Sequence, residues 1–331
     1  MSEERRKPDA SPGMAFEAPI RHMEAQLAEL TELSRVNDLD ISKEIGALRS
    51  KIEAALAATY SDLDPWESVN VSRHPERPVA SDYIDQMFDE FIELHGDKNY
   101  GDDRAMVTGF ATLRGRRMMI VGHRKGKTTP ERLETNFGCA HPEGYRKALR
   151  KMRLAAKLGL PIVTLINTPG AYPGIGAEER GQAAAIAENI LGMFDLAVPI
   201  VCVVIGEGGS GGALGIGVGD RVLMLQYSYY SVISPEGCAA ILWKDGARTP
   251  EAASALKLTA GDLTRLGVID GVVAEPLGGA HRDPEVVFQN LGDAILEHLD
   301  ELEGVDPQQL VADRREKFRR MGAVEGRFPT V

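Results

Sequence analysis

Hydrophobic and polar positions along this chain recur with two periods, and the change from one to the other predicts the order of elements. Ile20, Met23, Leu27, Leu30 and Leu33 lie three or four apart, as do Ile41, Ile45, Leu48, Ile52 and Leu56, with charged residues between them. Asn37-Asp-Leu-Asp40 interrupts the series, so residues 16–62 are expected to form a hairpin of two amphipathic helices. Such a hairpin packs either on its own domain or on a partner chain, and the pattern leaves both open. Residues 1–15, polar and proline-bearing, have the composition of a disordered tail. Asp64-Pro65-Trp66 ends the hairpin, and prolines at 75 and 78 mark residues 63–80 as a connector, extended over residues 71–78. Residues 81–94 then read as one amphipathic helix capped by Ser81.

From Ala105 the period shortens. Residues 105–113 and 117–121 read as strands joined by a turn at Arg114-Gly115-Arg116. Residues 161–166 and 199–205 are continuous, largely β-branched apolar runs, as expected of strands buried on both faces. Each runs into a glycine-rich loop, the second strand stopping at Gly206, and residues 177–194 between them are helical. Strand, glycine loop and helix thus occur twice. This predicts a right-handed βαβ unit with both loops at the carboxyl ends of neighbouring strands. Further strands are expected at residues 222–225, 231–233 and 268–273. Helices are expected at 142–158, 234–242 (Ser234 as cap), 250–256, 260–266, 284–302 and 307–321. The result is an α/β chain with a main domain over residues 81–303 and a helical segment over 304–331.

Composition narrows the class. Against 38 basic residues stand 49 acidic ones, a net charge of −11 that disfavours non-specific nucleic-acid binding. Cys139, Cys202 and Cys238 are scattered with no C-x-x-C pair, so neither disulfides nor a metal site is expected and a cytoplasmic location is. No signal-peptide core and no membrane-length apolar run is present in the sequence.

Candidate chemistry concentrates in Gly206-Glu-Gly-Gly-Ser-Gly-Gly212, followed by a short helix expected to begin at Gly211 or Gly212. Gly206, Gly208 and Gly211 match the dinucleotide pattern G-x-G-x-x-G. The helix has room only to about Gly219, however, and residues 226–231, where the ribose-binding acid belongs, hold no carboxylate. Gly208 to Gly212 also match the nucleophile elbow G-x-S-x-G, with Ser210 as nucleophile and Asp245, Asp262 or Asp270 and then His281 as partners. A third possibility is an oxyanion hole of backbone amides at a helix N-terminus, with no nucleophile. Gly122-His-Arg-Lys-Gly-Lys127 is a basic patch in an acidic chain, either a solvated loop or a phosphate site.

Four blocks carry a specific resemblance: Asn167-Thr-Pro-Gly-Ala-Tyr-Pro-Gly-Ile-Gly-Ala-Glu-Glu-Arg-Gly181, Ile205-Gly-Glu-Gly-Gly-Ser-Gly-Gly-Ala-Leu214, Tyr230-Ser-Val-Ile-Ser-Pro-Glu-Gly-Cys238 and Glu275-Pro-Leu-Gly-Gly-Ala-His281. In this order and spacing the chain, from about Phe16 onward, resembles the alpha subunits of the carboxyltransferase component of bacterial-type acetyl-CoA carboxylase. The resemblance implies a crotonase-like (ClpP/crotonase) β-β-α superhelix and a site shared with a beta subunit, in an α2β2 assembly. It implies transfer of a carboxyl group from carboxybiotin, on a biotin carboxyl carrier protein, to acetyl-CoA, giving malonyl-CoA for fatty acid synthesis. Biotin carboxylase is a further implied partner, and ATP would be used by the whole enzyme on another subunit, since this chain has no G-x-x-x-x-G-K-[ST].

The same resemblance places the carboxybiotin oxyanion hole on Gly211 and Gly212, with Gly170 and Ala171 in support and Gly208, Gly209 and Tyr172 at the substrate. Tyr172 either flanks biotin or packs in the core. Arg124, Lys125 and Lys127 are the candidates for CoA phosphates. Other readings are a propionyl-CoA carboxyltransferase subunit, a hydratase or isomerase using Glu207 or Glu236, a hydrolase using Ser210, and a non-catalytic assembly subunit.

Overall fold

The computed structural model describes residues 14–323. Most of the expected tail, residues 1–13, and the end of the C-terminal segment lie outside that range. Met14, counted with the tail, is buried.

Helices α1 (Ala18–Asn37) and α2 (Ser42–Tyr60) form the expected hairpin, with Asp38 in the left-handed region closing the first. The base of the hairpin packs on its own chain, while toward its tip Leu33, Val36 and Leu39 are exposed. Ile20, Ile52, Leu56 and Tyr60 gather with Met14, Val71 and Tyr227, and Arg282 pairs with Glu17 and Glu24.

The connector contains a helix. α3 (Pro65–Ser72) opens with a capping box in which the Asp64 carboxylate accepts from Glu67 N–H and the Glu67 carboxylate accepts from Asp64 N–H. That D-P-x-E signature is legible in the sequence, masked only by the prolines downstream. Past α3, Arg77 is 3% exposed and forms a two-pronged pair with Glu275 at 2.8 and 2.6 Å, while its Nε donates to the Ile205 carbonyl. The expected helix over 81–94 is also corrected. α4 (Ala80–Met87) is capped by Asp82 accepting from Val79 N–H rather than by Ser81, and the chain then turns into the edge strand β1 (Glu90–Glu93). Pairing with the next strand overrides a helical pattern that continues past the turn.

The sheet is built from β2 (Met106–Leu113), β3 (Arg116–His123), β4 (Ile162–Thr168), β5 (Ile200–Gly209), β6 (Arg221–Leu225), β7 (Tyr229–Ser231) and β8 (Gly271–Val273) beside β1. Its order is β1-β2-β3-β4-β5-β6-β8, with β7 against the far end of β5. The first three strands are antiparallel and the rest pair parallel. Between strands lie α5 (Thr129–Glu134), α6 (Pro142–Lys157), α7 (Ile175–Glu179), α8 (Gln182–Phe194), α9 (Ser210–Leu214), α10 (Pro235–Leu242), α11 (Thr249–Leu256) and α12 (Ala260–Arg265). The helices α13 (Pro284–Glu301) and α14 (Pro307–Arg320) follow.

One face of the sheet packs Met119, Ile162, Ile166, Cys202 and Val204 against α6 and α8, and the other packs Ile120, Val163, Leu165, Val203 and Ile205 against α4 and α13. Burial on both sides is why β4 and β5 read as unbroken apolar runs. α14 is pinned by Arg314, 1% exposed, which pairs with Asp220 and donates to the carbonyls of Met193, Leu196 and Val198. The long helix expected at 177–194 is divided at Gly181, whose φ of 80° suits glycine. β5 runs on past Gly206 to Gly209, and β7 begins two residues earlier than expected, because the two pair through Glu207↔Tyr229 and Gly209↔Ser231.

Candidate active site

β4 and β5 lie parallel, so the loops that leave their carboxyl ends meet. Their backbones touch: a Cβ at Gly209 would fall 2.1 Å from the Pro169 carbonyl oxygen, and one at Gly212 would fall 2.4 Å from the Gly170 carbonyl carbon and 2.5 Å from Ala171 N. Glycine is therefore required at 209 and 212 by the backbone of the neighbouring loop rather than by φ. Gly170, by contrast, has nothing within 4 Å of its Cβ position, and Gly211 meets only Ile186 at 3.9 Å. These two open onto space. The Thr168 hydroxyl steadies the first loop by accepting from Gly170 N–H and donating to the Gly170 carbonyl.

α9 starts at Ser210, one residue before the earliest start the pattern predicts. The N–H groups of Ser210, Gly211 and Gly212 belong to its first turn and have no carbonyl within the helix to bind. They are the donors an oxyanion needs, carried at the positive end of a helix. An apolar cavity of about 420 Å³ adjoins them, lined by Ser210, Gly211, Leu214, Tyr230, Leu263 and Phe318 among others.

Ser210 is exposed and has a φ of 53°, a left-handed conformation unusual for a residue with a side chain. This is the backbone shape of a nucleophile elbow, but the acids and base a hydrolase would recruit are committed elsewhere. Asp245 caps a 3-10 turn, Asp262 accepts from Thr259 and pairs with Arg265, and Asp270 accepts from Val222 N–H and pairs with Lys317. His281 stacks on His74 with ring centroids 3.7 Å apart.

Glu207, the carboxylate offered as a hydratase base, is 4% exposed and surrounded by donors. Arg73 Nε and the Tyr229 hydroxyl reach Oε2 at 2.8 and 3.0 Å, and Lys125 pairs with Oε1. Burial alone would raise its pKa, but Lys125 and Arg73 outweigh burial and hold it down to about 2. A carboxylate so placed is a poor base. Glu236, the other candidate, is exposed and paired with Arg73.

The remaining candidates are spread. Tyr172 stacks on His141 with centroids 4.1 Å apart, and the backbones of both Tyr172 and Ala140 accept from Gln182. Gly208 packs on Tyr230 and the Tyr229 carbonyl, inside the sheet rather than at the crevice. Arg124 pairs with Glu93, Lys125 with Glu207 and Lys127 with Asp82, so the basic patch is divided among three carboxylates. Their ranges in the sequence gave no sign of this, because each partner lies on a different element. Among the described residues no group of three or more His, Cys, Asp or Glu is placed to hold a metal ion, and no helix is long and apolar enough to cross a membrane.

Comparison with known proteins bears on the family and the fold. The family model for acetyl co-enzyme A carboxylase carboxyltransferase-like proteins matches residues 13–322. A Rhodopirellula baltica protein named acetyl-coenzyme A carboxylase carboxyl transferase subunit alpha is 55% identical over 313 residues, covering 95% of this chain and 98% of its own. One of the same name from Geobacter metallireducens is 52% identical over 308 residues, covering 93% and 96%. Among solved structures, transcarboxylase 12S aligns with a TM-score of 0.54 at 20% identity over 69% of this chain and 44% of that one. A chain of a Pseudomonas malonate decarboxylase hetero-tetramer aligns with a TM-score of 0.54 at 14% identity over 67% and 90%. These structural likenesses bear out the crotonase-like fold. With full-length relatives above half identity, the chain belongs to the family of acetyl-CoA carboxylase carboxyltransferase alpha subunits.

Proposed function

We propose that this chain is the alpha subunit of a two-chain carboxyltransferase. With a beta subunit it moves a carboxyl group from carboxybiotin, held on a carrier protein, to acetyl-CoA, and the product is malonyl-CoA. The observation that carries the reading is the contact of two glycine loops at the ends of parallel strands, with unpaired helix-start amides beside an apolar cavity.

The residues fit a biotin ring. Gly170 and Gly211 leave their Cβ positions open, and the apolar cavity adjoins Gly211. Bound there, biotin would supply the carboxyl group. Gly211 and Gly212 would hold the ring's carbonyl oxygen with their N–H groups, and Gly170 and Ala171 would back them through the contact at Gly212. Fixed amide donors stabilise negative charge as it develops on an oxygen, because they need no reorganisation when it appears. Each such donor is worth roughly 10²–10³ in rate in enzymes where one has been removed. No side chain of this chain is required as a proton acceptor, which accords with the low basicity of Glu207.

The test is decarboxylation of malonyl-CoA with free biocytin as acceptor, run with this chain alone and then with a beta subunit. Turnover that requires both chains and biocytin supports the reading. Turnover by this chain alone, or without biocytin, overturns it.

A further inference from the structure

Under the two glycine loops lies a line of enclosed polar groups with no part in the chemistry above. His123 ends β3 and Asn167 lies near the end of β4, and they are 0% and 4% exposed. The Asn167 N–H donates to His123 Nδ1 at 3.4 Å, and Asn167 Oδ1 accepts from the Glu207 N–H at 3.1 Å. Because Nδ1 accepts, the proton of the neutral ring sits on Nε2. That Nε2 is enclosed and makes no hydrogen bond, and the Gly212 backbone is the nearest polar group to act on its charge. The Gly212 carbonyl accepts from the Tyr145 hydroxyl at 3.3 Å.

We propose that His123 and Asn167 are positioning residues that tie the ends of β3, β4 and β5 together beneath Gly212 and so aim the first-turn amides of α9 into the crevice. Carbonyls and N–H groups point opposite ways along a helix, so with the Gly212 carbonyl held inward by Tyr145 and the strand ends fixed beneath it the amides face outward. Asn167 holds β4 to β5 at the point where their pairing is irregular, between Ile166 and Thr168. The chain of contacts then runs through Glu207 to Lys125 and Arg73, so the oxyanion site is coupled to the connector helix α3 and to the loop after β3. His123 does not act as a base in this arrangement. Its Nδ1 lone pair is occupied, and burial pushes its pKa down to about 3, so it stays neutral throughout the working range.

The inference rests on the carboxyltransferase reading, and its test separates the two. With the beta subunit present, His123→Phe and Asn167→Ala should each lower kcat for biocytin-dependent decarboxylation by about 10–100-fold, with KM for malonyl-CoA nearly unchanged. His123→Gln, which keeps a donor and an acceptor, should recover much of the loss. The pH profile of kcat should keep its shape in every variant. Hydrogen exchange of amides 210–213 should quicken in His123→Phe while the helices far from the loop exchange as before. An unchanged kcat in His123→Phe, equal losses in the Phe and Gln variants, or disappearance of an acid limb from the profile would each overturn the inference. If the wild-type pair shows no biocytin-dependent turnover, the carboxyltransferase reading fails, and exchange at 210–213 still decides whether the tie exists.

Discussion

At Gly212 the nearest atoms to an added Cβ belong to the Gly170–Ala171 backbone, whereas at Gly211 they belong to Ile186 and lie 3.9 Å away. The adjacent glycines should therefore respond differently. Gly212→Ala should lower the melting temperature and activity together, because backbone cannot yield as a side-chain tip can. Gly211→Ala should leave the melting temperature near wild type and raise KM for biocytin, because its methyl group enters the space proposed for the ring. Thermal melts and steady-state kinetics on the two proteins check this; a wild-type KM in Gly211→Ala removes biotin from that space. Ser210 offers a second contrast. Its left-handed φ costs roughly 1 kcal/mol for a residue with a Cβ, so Ser210→Gly should be neutral to slightly stabilising. If the amides alone do the work, Ser210→Ala and Ser210→Gly both keep most of the activity. Loss in both would restore the hydroxyl as nucleophile.

Elements decide what the basic loop after β3 can do. Arg124 and Lys127 sit in partly exposed pairs, each worth about 0–1 kcal/mol, so either cation can leave its carboxylate for a phosphate at small cost. Lys125 differs, since its partner Glu207 is buried, and removing one member of such a pair costs several-fold more than the pair itself contributes. Arg124→Ala with Lys127→Ala should leave stability intact and, if the loop meets CoA phosphates, raise KM for the CoA substrate. Lys125→Ala should lower stability by about 3 kcal/mol and reduce kcat through β5. Denaturant melts read the first quantity and kinetics the second. The sequence shows the cations but not this division, because Lys125 and Glu207 are 82 positions apart and Arg73 and Glu207 are 134 apart. The same limit hid β1. Its residues continue the helical pattern of α4, and only their pairing with β2 makes them a strand.

For the whole molecule, a histidine pair beside Arg282, the residue that anchors the hairpin through Glu17 and Glu24, makes stability depend on pH. His281 is packed against His74 with Arg282 and Arg77 close by, and burial first, then His74 and the two arginines, push its pKa from 6.5 to about 3. His123 is displaced in the same direction by burial. A histidine with a depressed folded pKa binds fewer protons folded than unfolded, so stability is complete above about pH 6.5 and falls as pH drops toward 3. Denaturant titrations from pH 8 to 4 should show this decline, and His281→Phe should make it shallower. An equal slope in the variant would mean that His281 does not contribute to acid sensitivity.

By itself the sequence determined the helical hairpin, the two buried strands, their glycine loops and the family, because each depends on residues close together in the chain. Period, capping and turn chemistry are local, and the four long motif blocks need no coordinates to be read. Only the tertiary structure decided which glycines are crowded and which are open, since that depends on the approach of one loop to another. It also decided that Glu207 is a held anion rather than a base, and that the hairpin docks on its own chain by its base while its tip stays exposed. Those outcomes are set by burial and by partners far away in sequence, whose effects on charge no local pattern records.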